Sequence, residues 1–147
     1  VEEVMKMTIQ HMQDDLLEII HQESTPFLQR LENVVIWLID GGKRFPKMLM
    51  AHMYGILVEK RPDTLAKRMF QDIFDQMCRQ AVAAYPAVPP ENVRAALAQV
   101  MSAAFFTMLA PDFFQEDNFL VAEDVSSTGR LAGYTARMFE RCVQIEP

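Results

Sequence analysis

Glycine is scarce in this chain, with five in 147 residues, and β-branched residues are few beside Ala, Leu, Met, Gln and Glu. That balance excludes a turn-rich β architecture and favours an all-helical protein. Cysteine is nearly absent too. Cys78 and Cys142 stand alone within helical patterns, which excludes a disulfide framework or a CxxC metal site and makes a reducing cytoplasm the expected location. The longest apolar run is VVIWLI, Val34 to Ile39. It falls far short of the roughly 18 residues that a bilayer demands, so no membrane partner is expected. No signal peptide is visible. Basic residues are outnumbered, giving a net charge of −6. The basic clusters are short (Lys43, Arg44 and Lys47; Lys60 and Arg61; Lys67 and Arg68), so this chain alone does not present the basic face that phosphate binding needs.

Half of the residues are hydrophobic and 23% are charged, as befits one folded domain over residues 1–147. Six helical patterns follow one another. Met5, Ile9, Met12, Leu16 and Ile19 mark the first, from about Val1 to His21, by their spacing of three and four. The chain begins already in helical register, and a segment upstream of Val1 is expected. Ser24 or Thr25 can cap the second helix, with Pro26 at its first position. Phe27, Leu31, Val34 and Leu38 form its stripe, and Gly41-Gly42 is expected to stop it after Asp40. The third helix covers about Phe45 to Glu59. Pro62 then forces a corner, and Asp63 or Thr64 can cap a fourth helix that carries Met69, Phe70, Ile73, Met77 and Ala81 to about Tyr85. After the rigid YPAVPP loop, Pro90 opens a fifth helix that Pro111 ends. The acidic stretch DFFQEDNFLVAEDVSS, residues 112–127, reads as an irregular or partly helical loop. The last helix runs from about Ser127 to Val143, with Leu131, Tyr134, Met138 and Cys142 in register.

Few motifs carry chemistry. EIIH, Glu18 to His21, has the Glu-x-x-His spacing of carboxylate di-iron bundles, but no second copy accompanies it, so no metal is expected. GGKR lacks the rest of a phosphate loop. Only three histidines occur, none in a Gly-rich strand-to-helix turn. No catalytic residues, cofactor or enzymatic activity are therefore expected. Eleven Met and ten Phe line the helical stripes around the single tryptophan, Trp37. A Met-rich interior adapts to varied apolar ligands, with Trp37, His52, Tyr54 and Tyr85 available for polar contacts. Ala95, Ala96, Ala98, Ala103 and Ala104 make the fifth helix a close-packing one, and a two-fold partner is the economical explanation.

FLQRLENVVIWLID after Pro26, the corner EKRPDTLAKRMFQDIFDQM, the small-residue helix VPPENVRAALAQVMSAAFF and the closing helix RLAGYTARMFERCV occur in an order that resembles the C-terminal regulatory domain of the TetR family of bacterial transcriptional regulators. The family's N-terminal helix-turn-helix has no counterpart in these residues. The resemblance implies an all-α bundle of about six helices and a cytoplasmic homodimer whose fifth and sixth helices form a four-helix bundle across the two-fold axis. It also implies a small, mostly apolar ligand among the first five helices, and operator DNA bound only through the missing N-terminal heads. The corner of Gly41, Gly42, Lys43 and Arg44 would face those heads. On this resemblance Trp37, Phe70, Phe74, Met101, Phe105 and Met108 line the ligand cavity. Ala96, Val100, Ala103, Leu131, Tyr134 and Met138 form the dimer interface. The alternatives are a free-standing helical protein-interaction adaptor and a helical-bundle metal protein built around Glu18 and His21.

Overall fold

The computed structural model describes residues 2–61, 64–109 and 125–144, and within them every regular element is an α-helix. In chain order these are α1 (Glu2–Ile20), α2 (Phe27–Arg44), α3 (Pro46–Leu57), α4 (Leu65–Ala84), α5 (Pro90–Leu109) and α6 (Val125–Val143). Among the described residues no helix is long and apolar enough to cross a membrane. Pro62, Asp63 and residues 110–124, which hold most of the acidic stretch, lie outside the described residues. The last three residues of that stretch, Val125 to Ser127, belong to α6 rather than to a loop.

The helix ends follow from local chemistry, with two departures from expectation. Thr64 is the N-cap of α4, and its hydroxyl accepts a hydrogen bond from the Lys67 amide at 3.1 Å. Pro26 is the N-cap residue of α2 rather than its first helical position, and Phe27 opens the helix. The larger departure is at Gly41-Gly42, which does not stop α2. Both glycines stay helical, the Phe45 amide bonds to the Gly41 carbonyl at 3.0 Å, and the helix ends only at Phe45, with φ −130° and ψ 55°. The cause lies one residue further on: Pro46 crowds the backbone of the residue before it out of the α region, and then opens α3. The α2–α3 corner is thus Phe45-Pro46, not the glycine pair. Beyond α3, the Arg61 amide reaches back to the Gly55 carbonyl at 3.2 Å, with Lys60 in the left-handed region at φ 49°.

α2 is the hub. It packs most extensively against α6 and also touches α1, α3, α4 and α5. Leu31, Val34, Val35, Leu38 and Ile39 are all buried, as the all-round apolar run of this helix requires. α1 lies on α4, and α5 on α6.

The two ends of the bundle differ. At one end Tyr85 meets both Phe27 and Phe139 edge to face, and Phe27 and Phe139 are tilted to each other, with Phe139 fully buried and centred 5.4 Å from Phe27 and 5.6 Å from Tyr85. Burial raises the Tyr85 phenol above its ordinary pKa, and Glu140 adds to the effect. Arg30 secures this end. Its guanidinium is buried, donates to the Ile20 carbonyl at the end of α1 and to Gln80 Oε1, both at 2.7 Å, and lies over the Phe27 ring. A cation at a helix C-terminus also meets the negative end of the α1 dipole. The other end is hollow.

Candidate functional site

The hollow end is a cleft of about 610 Å³. Two parallel ladders of side chains wall it. On α1 these are Thr8, Met12, Asp15 and Ile19, and on α2 Asn33, Trp37, Asp40 and Arg44. Each ladder steps by four, three and four residues, which keeps its members on one helix face. Met48 and His52, one turn apart on α3, form a third wall, and Ala66, Met69 and Phe70 of α4 form a fourth. Phe105 of α5 meets Phe70 edge to face at 5.4 Å and closes the floor. The cleft exists partly because α3 packs mainly on α2, and partly because Gly41 and Gly42 put no side chains on the wall.

Of the six residues expected in the cavity, Trp37, Phe70 and Phe105 do line it. Phe74 and Met101 do not. Phe74 sits one turn along α4 from Phe70, past the end of the cleft, where the Arg94 guanidinium covers its ring at 5.0 Å and is held by Asp75 at 2.9 Å. Met101 is buried in the core stripe of α5 with Val93, Leu97, Val100 and Ala104. The side chain of Met108 lies outside the described residues. Of the expected polar contacts, His52 lines the cleft beside Trp37, whereas Tyr54 is exposed and Tyr85 belongs to the packed end.

His11, Met12, Asp15, Asp40 and Arg44 were not foreseen in the sequence reading, although the ladder spacing was present in it. Among the described residues, Asp15 and Asp40 have neither a hydrogen bond nor an ion pair, whereas the Thr8 hydroxyl donates to the Val4 carbonyl at 2.9 Å. A second, more open hollow adjoins the cleft, sharing Asp15, Ile19 and Trp37 with it and adding Glu18, His21 and Gln22. The pair Glu18 and His21 lies there. His21 Nδ1 is 3.5 Å from Gln80 Nε2, and no group of three metal-binding side chains occurs among the described residues. One residue near this framework titrates abnormally: burial holds the Cys78 thiol above its ordinary value of 9.0, opposed by Arg94 and reinforced by Asp75.

The expected interface residues divide by exposure. Tyr134 (57% exposed) and Met138 (49%) on α6 and Ala103 on α5 are exposed, and Leu131 is half-buried. Ala96 and Val100 are not exposed. They are buried within the chain, their small volumes taken up by its own helix packing. On α6, exposed Tyr134 and Met138 share one stripe with Leu131 and Cys142, which are half-buried and pack against the core. The core residues of α6, Ala132, Ala136, Phe139 and Val143, form another beside it.

No protein-family model, curated protein or solved structure matches this chain.

Proposed function

We propose that the chain is the effector-binding and dimerisation domain of a TetR-like transcriptional regulator, a cytoplasmic repressor that reads operator DNA through N-terminal heads. The observation that carries this reading is the cleft of about 610 Å³, a volume suited to a small molecule and lined mostly by aromatic, aliphatic and Met side chains. Its position supports the reading as well. α1 is fastened at its C-terminal end by Arg30, and tied to α4 near its middle by Gln13 Nε2 donating to Asp72 Oδ2 at 2.7 Å. A ligand in the cleft would press on α1 between Thr8 and Ile19 and favour one tilt of that helix over another. Differential affinity for two tilts is what couples a ligand to the spacing of DNA-reading heads in a dimer. The exposed residues Ala103 of α5 and Tyr134 and Met138 of α6 are the ones we assign to the homodimer interface.

The test uses N-phenyl-1-naphthylamine, a neutral fluorescent probe, with Trp37 as the sole tryptophan reporter. Saturable probe binding that quenches Trp37 is expected. Unchanged Trp37 emission across a panel of saturating apolar ligands would overturn the reading. For the dimer, light scattering should show a two-chain mass that Ala103→Arg reduces to one. A second reading, a protein-interaction adaptor, is favoured by the outer face of α3, where Met50, Tyr54 and Leu57, with Val58 just beyond, expose a continuous apolar stripe. It gains ground if no small apolar ligand binds and Leu57→Asp abolishes capture of a partner.

A further inference from the structure

Resting on the reading of the cleft as a ligand site, we infer that its ligand class is a lipophilic organic cation: an apolar body bearing one amine or quaternary centre. The body follows from the walls. Trp37, Phe70, Phe105 and the Met side chains offer apolar area from which a ligand displaces water.

The charge follows from what the walls leave without a counter-ion. Asp40 is half-buried on the α2 ladder, one turn from Trp37, and Asp15, an exposed residue of α1, lines the same space. Neither has a hydrogen bond or ion pair among the described residues, and Glu18 adds a third carboxylate in the adjoining hollow that Asp15 and Trp37 also line. Among the described residues, Arg44 is the one guanidinium on the lining. It is exposed at the rim and forms no ion pair with Asp40, although it stands one turn away on the same helix. His11 and His52 are the other titratable groups on the cleft among the described residues, with His21 in the adjoining hollow.

A carboxylate that apolar ligand surface covers must find a counter-charge or lose hydration without compensation. A cationic ligand supplies that charge, and an anionic one deepens the deficit. The indole of Trp37 works in the same direction, because its π face attracts a cation and Trp is the strongest side chain in this respect.

The test compares tetraphenylphosphonium with tetraphenylborate, ions of near-identical size and shape and opposite charge, alongside neutral N-phenyl-1-naphthylamine. Binding to the purified chain is followed by calorimetry and Trp37 emission. The expected result is that the phosphonium binds at least tenfold more tightly than the borate. Asp40→Asn should weaken the phosphonium about tenfold, close to 1.4 kcal/mol, and leave the neutral probe unchanged, with Asp15→Asn acting in the same direction. Borate binding as well as or better than phosphonium, while the neutral probe still binds, would overturn the charge assignment and leave the small-ligand reading standing. A phosphonium preference that survives both Asp substitutions would overturn the assignment of the carboxylates. Failure of all three probes to bind would overturn both this inference and the function proposed above.

Discussion

Replacing Gly41 by alanine is expected to stabilise the protein, and the size of the gain can be worked from the structure. Gly41 lies inside α2, its carbonyl accepts the Phe45 amide at 3.0 Å, and no glycine among the described residues has a positive φ. A Cβ built at Gly41 meets nothing within 4 Å. The change therefore carries no steric penalty and recovers the helix-interior difference between Gly and Ala, about 1 kcal/mol. The methyl faces the cleft and adds little burial. With a urea m-value of about 2 kcal/mol/M, the midpoint should rise by about 0.5 M, and Tm by about 2–4 °C. Paired urea melts followed by far-ultraviolet circular dichroism make the measurement. A loss of stability of about 0.5 kcal/mol or more would refute the reasoning, because it would mean that Gly41 needs backbone freedom that alanine lacks. Gly41→Leu extends the test: its side chain enters the cleft and should weaken N-phenyl-1-naphthylamine binding without lowering the midpoint.

Phe139→Ala removes a fully buried ring between Phe27 and Tyr85 and should cost about 3–5 kcal/mol in denaturant melts. Thr64→Ala removes the α4 cap and should cost about 1 kcal/mol, with Thr64→Ser retaining most of it. Lys60→Gly relieves a left-handed lysine and should add about 1 kcal/mol to the urea-derived stability. Cys78 and Tyr85 both titrate above their ordinary values in the folded chain, so in the alkaline range the native state holds protons that the unfolded state has released. Stability is unaffected by these two groups below pH 9 and falls as pH rises past the ordinary Cys value of 9.0 and then the Tyr value of 10.0. Cys78→Val should flatten the first part of that decline in urea melts at stepped pH.

The elements were legible where one strong local signal acted alone. Thr64 caps α4 as its hydroxyl and position foretold, and the all-round apolar run of α2 did mark the buried hub. Gly41-Gly42 misled because glycine lowers helix propensity without forbidding helix, while Pro46 imposes a direct steric restriction on Phe45. On α6, periodicity selected the larger side chains Leu131, Tyr134 and Met138, yet the core stripe beside them uses Ala132 and Ala136 to admit Phe139. Trp37, Phe70 and Phe105 line the cleft whereas Phe74, an equally bulky residue of an inner helix, does not, because bulk and helix membership do not specify which turn faces the hollow. Asp15, Asp40 and Arg44 could not be placed, since which end of a bundle stays hollow depends on how α3 leaves α2, a tertiary fact with no local signature.

The reliance of α2 on α6 has a consequence for synthesis. The helix carrying VVIWLI leaves the ribosome before its most extensive partner, α6, has been made. Until α6 arrives, one flank of the most apolar segment in the protein is exposed to any other chain nearby. Folding of these helices is therefore gated by the emergence of α6. A truncation that removes α6 would not yield a smaller bundle. It would yield a chain held by chaperones or lost to aggregation.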